Sequence, residues 1–367
     1  MRTAWTSIAL LTTLVAGSWA FAPGPTPADD TCTDGQVPAT WPLGPGFEPQ
    51  LLYDSHGQYL NFSGKPYVHS GIDIAACIGD IAYACEAGRV VYVQYTLGDD
   101  ANLVVVADSD EVDRGWQYMH LSEVFVKRGD AVLRDQAVGS VARYKAHAGF
   151  DHLHLQRMQP GTTSGNWTPS HADAGNPLLL LAARSDTSAP EIQPIDASAA
   201  EVDYFSVYAD GGTSARAPES IAGIAADVVG NVLELFPGSG PPSCGSTICD
   251  KPVATQIMPL RLSFSVFRTE DLPSGAAGVR TIVAEVYNNV IDLGQPILDA
   301  TAFAENIYRD GSVGTYSDRS FLVDLTHCPT TGVGSFTLNS SGSYLMQLVA
   351  EDASGNVAVR ELAFELP

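Results

Sequence analysis

Residues 151–156 read DHLHLQ, and this alternation of polar and apolar side chains constrains the local fold more than any other stretch. Successive side chains of an extended strand point to opposite faces, so residues two apart share a face. His152 and His154 therefore project together. Leu153 and Leu155 face the other way, into a core. Two imidazoles on one strand face serve as metal ligands, as proton carriers or as polar surface, and the rest of the chain decides between these roles.

Short apolar runs separated by turn residues continue along the whole chain. VVYVQY, NLVVVAD and LRLSFSVFR are typical of strands, and 34 glycines and 23 prolines supply the turns between such runs. A chain of 367 residues exceeds the usual size of one domain. We therefore predict a mostly β protein with two cores.

The amino terminus has the pattern of a secretory signal peptide. Arg2 provides a positive charge, a short apolar run follows, and small residues precede a cleavage site after Ala20 or Ala22. The apolar run is too short to span a membrane, and no other stretch is long enough. We expect a secreted or periplasmic protein without a membrane span.

Composition changes along the chain predict five segments. A Pro-rich leader follows the signal peptide, the first β domain ends near a Leu-rich stretch, and a linker leads to alternating strands that favour an immunoglobulin-like (Ig-like) β-sandwich. The predicted segments are the signal peptide (1–22), the leader (23–49), the first β domain (50–184), the linker (185–200) and the Ig-like domain (201–367).

Export makes the six cysteines candidates for disulfide bonds. Fifteen connectivities are open, and pairing of near neighbours is the simplest. A zinc site of thiolates is the alternative, although the chain contains no C-x-x-C pair. The pairs expected are Cys77–Cys85, Cys244–Cys249 and Cys32–Cys328.

The net charge of −23 excludes nucleic acid as a general partner, because phosphates are bound by lysine and arginine. An acidic surface of this kind suits a chain that stays soluble outside the cell. We expect a monomer.

Two further stretches place histidines beside other polar groups. In YVHSGIDIAA, His69 and Asp73 are four residues apart, which on a strand puts both on one face, and Gly71 leaves that face open. His120 ends the apolar run WQYMH. Catalytic zinc takes three nitrogen or oxygen ligands and keeps one position for water. Each stretch alone is common in proteins without metal, but their conjunction in one domain favours a zinc hydrolase site.

These stretches resemble the lysostaphin/LytM-type zinc metalloendopeptidases. The resemblance rests on HSGIDIAA, GRVVYV, YMHLSEVFVKRGDAV, VGSV and DHLHLQ, and covers roughly residues 64–157. It implies a small antiparallel β-barrel or sheet as the catalytic domain. It also implies a secreted zinc endopeptidase that hydrolyses peptide bonds of bacterial peptidoglycan, in stem-peptide cross-links or bridges. A non-catalytic regulator or cell-wall-binding protein of the same fold is the alternative.

The same resemblance assigns a role to each polar residue of the motifs. His69, Asp73 and His154 correspond to the zinc ligands. His120 and His152 correspond to the unliganded catalytic histidines, which orient the water, take its proton and stabilise the oxyanion.

The chain departs from the family before the H-x-H pair, where RYKAHAGFD replaces a Thr/Ser-Gly-rich loop that borders the substrate groove. The C-terminal sandwich is expected, by analogy, to be a targeting or spacing module.

Overall fold

The structure is a computed structural model. It describes residues 37–44, 50–62, 65–96, 102–108, 114–144, 150–158, 174–183, 186–193, 195, 205–209, 215–216, 225–235, 256–271, 280–308, 321–326 and 336–367. The predicted signal peptide lies outside these residues. No helix in the described part of the chain has the length and apolar character needed to cross a membrane.

The amino-terminal half is built from short strands. Within the described ranges these are β1 (Leu52–Asp54), β2 (Tyr59–Phe62), β3 (Lys65–Val68), β4 (Ile72–Ala75), β5 (Ile81–Tyr83), β6 (Gly88–Gln94), β7 (Asn102–Asp108), β8 (Gly115–Val124), β9 (Ala131–Val132), β10 (Ala137–Val141), β11 (His152–Met158) and β12 (Ala174–Gly175). A 3₁₀ turn, Pro177–Leu179, follows β12.

Most of these strands form one antiparallel sheet. Its order is β1-β4-β11-β8-β7-β6-β9, with β10 between β5 and β8, and β12 beside β11. Strands β2 and β3 form a separate hairpin. The predicted antiparallel β domain is therefore confirmed, and β11, which carries the H-x-H pair, lies inside the sheet between β4 and β8.

The core of this half lies on one face of β11. Leu153 and Leu155 are completely buried against the apolar side chains of Ile72, Ile74 and Tyr118. The end of the predicted leader adds to the same core, because Ala39, Trp41 and Leu43 are buried in it. The predicted division of β11 into an apolar and a histidine-bearing face is thus confirmed.

The carboxyl-terminal half contains longer strands and a short helix. Within the described ranges these are β13 (Glu191–Gln193), β14 (Phe205–Ala209), β15 (Ala215–Arg216), β16 (Ala225–Leu235), β17 (Gln256–Ile257), β18 (Arg261–Asp271), β19 (Arg280–Asp292), α1 (Ala300–Ile307), β20 (Phe321–Asp324), β21 (Phe336–Thr337), β22 (Gly342–Glu351) and β23 (Val357–Leu366). Asp299 caps α1, since its carboxylate accepts hydrogen bonds from two backbone amides of the first turn.

Two sheets of this half share one hydrophobic core. One sheet has the order β13-β16-β14-β15, with β17, β20 and β21 paired to β16, and the other has the order β19-β18-β22-β23. Side chains of both enter one cluster, in which the rings of Phe205 and Phe264 are 6.2 Å apart. The chain is mostly β in both halves, as predicted, and the Ig-like character of this half stays a prediction.

The predicted Cys77–Cys85 disulfide is wrong. Cys77 is in a disulfide, whereas Cys85 is a free, fully buried thiol in the core of the first half. The backbone amide of Cys85 donates to the hydroxyl of Tyr118, and burial raises the pKa of the Cys85 thiol to about 12. The short separation in sequence does not bring the two thiols together, because Cys77 lies in the half-buried loop after β4 whereas Cys85 faces the core. The other two predicted pairs lie outside the described residues.

Candidate metal centre

The pairing of β4 with β11 brings the first two polar groups of the site together. In this antiparallel register His154 lies directly opposite Asp73. Directly opposed residues project to the same face of a sheet, so their side chains meet. Nδ1 of His154 is 2.8 Å from Oδ1 of Asp73, and both side chains are buried.

His69 reaches the same point by a different route from the one predicted. It lies outside a strand, after β3, and the bend at Ser70 and Gly71 separates it from β4. The prediction that His69 and Asp73 share one strand face is therefore wrong, although the two side chains do meet. Nε2 of His69 is 3.2 Å from Oδ1 of Asp73 and 3.0 Å from Nδ1 of His154.

Gly71 allows this bend to lie directly against β11. A Cβ atom there would overlap the carbonyl oxygen of Leu155 and would lie 2.9 Å from Nε2 of His154. We expect Gly71→Ala to displace His69 or His154 and to weaken zinc binding by at least about tenfold, as changes around metal ligands do. Titration of the metal-free protein with zinc against a competing chelator measures this.

The matched control for this substitution is Gly79→Ala. A Cβ at Gly79 would meet nothing within 4 Å. Its φ of +86° still strains an alanine, so this variant measures the effect of backbone strain without a collision, and we expect wild-type zinc affinity. Wild-type zinc affinity in Gly71→Ala would show that the bend does not need a glycine to align the histidines.

Two ring hydrogen bonds orient the histidines. Nδ1 of His69 is 3.1 Å from the carbonyl oxygen of Ser55, and Nδ1 of His152 is 2.8 Å from that of Phe150. A carbonyl oxygen only accepts, so each Nδ1 carries a proton, and in the neutral form of each ring Nε2 presents a lone pair. Nε2 of His69 points at the Asp73–His154 pair, and Nε2 of His152 is 3.4 Å from Oδ2 of Asp73.

Asp73 dominates the electrostatics of the cluster. Burial alone raises the pKa of Asp73, but the charges of His152 and His69 and the hydrogen bonds from His154 and His69 hold it well below its usual value. Burial lowers the pKa of His69, yet the Asp73 carboxylate outweighs this and raises it. Burial lowers the pKa of His154 despite Asp73. The carboxylate thus stays ionised among imidazoles, an arrangement that favours a bound cation.

The three donor atoms fit zinc in type and spacing. Zinc prefers imidazole nitrogen and carboxylate oxygen at about 2.0–2.2 Å, so two ligands of a tetrahedral ion lie about 3.3 Å apart. The separations here are 2.8, 3.0 and 3.2 Å. Among the described residues, His69, Asp73 and His154 form the group whose ligand atoms all lie within 4.8 Å of one another. These are the three residues expected from the sequence.

A β-bulge places His120 beside this group. Along β8, Tyr118 pairs with Val104 and Leu121 with Asn102, so Met119 and His120 together oppose the single residue between them. His120 adopts a φ of +63°, which is unusual for a residue other than glycine. Such a bulge turns one side chain to the other face.

As a consequence, Tyr118 and Leu121 both remain in the core while the His120 ring approaches the H-x-H pair. Its centroid is 4.6 Å from that of His152 and 6.2 Å from that of His154. The structure therefore brings all five predicted site residues together.

Comparison with known families agrees with this geometry. Residues 67–166 match the family model described as Peptidase family M23. The chain carries a peptidase M23 domain. The matched range contains His69, Asp73, His120, His152 and His154.

Curated relatives match about a quarter of the chain. Lysostaphin from Staphylococcus simulans is 34% identical over 121 residues, which is 29% of this chain and 24% of lysostaphin. Glycyl-glycine endopeptidase ALE-1 from Staphylococcus capitis is 34% identical over 93 residues, 24% of each protein. The chain thus spans about a quarter of the length of either relative.

Two solved structures each match about a third of the chain. The catalytic domain of the antimicrobial peptidase lysostaphin from Staphylococcus simulans is 28% identical, with a TM-score of 0.29, and the match covers 35% of this chain and 90% of that domain. LytU is 24% identical, with a TM-score of 0.30, and covers 36% of this chain and 83% of its own.

An aromatic cluster beside the M23 histidines is the part of the site that sequence reasoning missed. The Tyr144 ring lies 5.1 Å from that of His120 and 4.7 Å from that of His152. Phe150 stacks on Tyr53 at 4.3 Å, and Asp151 accepts a hydrogen bond from the Tyr144 amide. Tyr144 and Phe150 belong to RYKAHAGFD, the stretch that departs from the family pattern. That departure from the family pattern was the one sequence signal that the residues beside His120 and His152 differ from those of the family.

Proposed function

We propose that this chain is a secreted zinc endopeptidase that hydrolyses peptide bonds of bacterial peptidoglycan, in stem-peptide cross-links or bridges. The convergence of His69, Asp73 and His154, with two more imidazoles beside them, carries the proposal. The M23 domain supports peptidase chemistry. The name of the relative ALE-1, a glycyl-glycine endopeptidase, makes a glycine-containing bridge the first bond to test.

His69, Asp73 and His154 would hold the zinc ion through Nε2, a carboxylate oxygen and Nδ1. When bound, zinc supplies a Lewis acid and a water molecule whose pKa is lowered to about 7. Nδ1 of His69 keeps its proton and donates it in a hydrogen bond to the Ser55 carbonyl, so Nε2 of His69 is available as a ligand atom.

His152 would accept a proton from such a water. Its Nδ1 proton is held by the Phe150 carbonyl, so the lone pair is on Nε2. Asp73 Oδ2, at 3.4 Å from Nε2, stabilises the imidazolium that forms. His120, whose ring lies next to His152, would donate to the oxyanion, and the proton taken up by His152 would pass to the leaving amine.

The amino-terminal pattern supports export, with cleavage after Ala20 or Ala22. The net charge of −23 argues against nucleic acid as a partner.

Digestion of purified peptidoglycan tests the proposal. The mature protein is incubated with directly cross-linked and with glycine-bridged walls, with and without a zinc chelator, and fragments are read by mass spectrometry. We expect new amino termini that the chelator suppresses and that added zinc restores. If the protein binds one zinc per chain yet releases no fragment from either wall, the catalytic proposal is wrong and the non-catalytic alternative applies.

A further inference from the structure

A buried turn lies between the metal centre and the carboxyl-terminal half of the chain. It comprises Asp54, the last residue of β1, and residues 55–58, which connect β1 to β2, and is called the 54–58 turn below. All five residues are buried, and Asp54, His56 and Gln58 are fully inaccessible to solvent. A polar turn with no solvent access must find its hydrogen-bond partners inside the protein.

On one side the 54–58 turn holds His69 by three hydrogen bonds. Nδ1 of His69 donates to the Ser55 carbonyl at 3.1 Å. The Gly57 amide donates to the His69 carbonyl at 2.9 Å, and the His69 amide donates to the Gln58 carbonyl at 2.9 Å. Because His69 lies outside a strand, these bonds set both its backbone position and its ring orientation.

On the other side the carboxyl-terminal half holds the same turn. The hydroxyl of Tyr308, at the end of α1, donates to the Gly57 carbonyl at 2.5 Å. His56 Nδ1 lies 3.1 Å from the Leu293 carbonyl, to which it donates. The Leu293 side chain packs on Gly57, whose φ is +80°, so closely that a Cβ atom there would lie 2.7 Å from Leu293 Cδ2.

The turn is braced internally, so a displacement on one side reaches the other. The Gln58 side-chain oxygen accepts from the amide and the hydroxyl of Ser55, both at 3.2 Å, and the Gln58 amide group donates to Asp54. Val68, which directly precedes His69, is itself buried in the hydrophobic cluster of the carboxyl-terminal half. His69 is thus anchored to that half through both the turn and its own neighbour.

We propose that Tyr308 and Leu293 are positioning residues of the metal centre, and that the carboxyl-terminal half completes the peptidase site. They act through the 54–58 turn on His69 and touch neither metal nor substrate. The effect on turnover rests on the proposed function, whereas the effect on zinc affinity does not. This role differs from the independent targeting or spacing module expected by analogy.

Tyr308→Phe in the full mature chain tests the proposal, because it removes one hydroxyl and leaves the ring in place. We expect zinc affinity, measured against a competing chelator, to fall about tenfold, as for other changes behind a metal ligand. In the peptide-cleavage assay we expect kcat to fall with KM unchanged. Measurements are made well below the thermal midpoint of each variant, so that partial unfolding does not contribute.

Tyr344→Phe is the matched control. Tyr344 is also buried in the carboxyl-terminal half, and its hydroxyl donates to the Ser340 carbonyl at 2.7 Å, away from the 54–58 turn. We expect wild-type zinc affinity and kcat in this variant. Equal zinc affinity in Tyr308→Phe and in the wild type would overturn the proposal.

Gly57→Ala provides a second test that does not depend on Tyr308. The added methyl group collides with Leu293, so zinc affinity should fall further than in Tyr308→Phe. The double variant with Leu293→Ala should recover part of the loss, and absence of any recovery would contradict the coupling through Leu293. A wild-type chain that binds zinc but cuts no peptide would refute the proposed function alone, since both affinity tests need no turnover.

Discussion

Replacing His154 with alanine is expected to abolish zinc binding and, with it, peptide-bond hydrolysis. His154 Nδ1 lies within 3.0 Å of both other donor atoms, Oδ1 of Asp73 and Nε2 of His69. Without it, two ligands remain of the three that catalytic zinc requires. Elemental analysis of the purified variant should find no stoichiometric zinc, and cleavage should fall to the level of the chelator-treated wild type.

The same experiment includes its own control. A His152→Ala variant removes an imidazole from the same face of β11, two residues away, and should retain stoichiometric zinc because Nε2 of His152 is not among the three donor atoms. One zinc per chain in His154→Ala, at wild-type affinity, would show that His154 is not a ligand.

Replacing His120 is expected to separate zinc binding from turnover. The His120 ring lies against His152 at 4.6 Å and outside the donor group, so His120→Ala should keep zinc and lose about 10²–10⁴-fold in kcat. Elemental analysis measures the zinc content, and steady-state release of the wall fragment that the wild type liberates fastest measures kcat.

The backbone at His120 requires a second variant. With a φ of +63°, alanine at this position is strained, whereas asparagine adopts such a conformation more readily. His120→Asn therefore keeps the bulge and removes the imidazole, and we expect the same loss of kcat as in His120→Ala. Full activity in the asparagine variant, with zinc bound, would rule out a proton-transfer or oxyanion role for this ring.

The strand parity of β11 and the chemistry of its two faces could be predicted from the sequence. Leu153 and Leu155 are buried in the core and His152 and His154 meet the other site residues, because alternation in an extended strand depends on local backbone geometry alone. The sequence also singled out Gly71, as a residue that leaves one strand face open, whereas the structure shows that a side chain there would collide with β11.

The position of His69 outside a strand and the β-bulge at His120 could not be predicted from local sequence pattern. The bend after β3 and the extra residue in β8 depend on which strands lie alongside, and pairing partners distant in sequence decide that. The error over Cys77 and Cys85 has the same origin, since the core that buries Cys85 is built by strands distant from it in sequence.

The sequence by itself determined the mostly β class, the five polar residues that the structure brings together and the alternation of β11, because these follow from local pattern and side-chain chemistry. Only the tertiary structure decided how these residues meet, how Tyr144 and Phe150 line the site, and how Tyr308 and Leu293 reach His69 through the 54–58 turn. Those contacts join residues as far as 251 positions apart, and their formation depends on the packing of whole sheets.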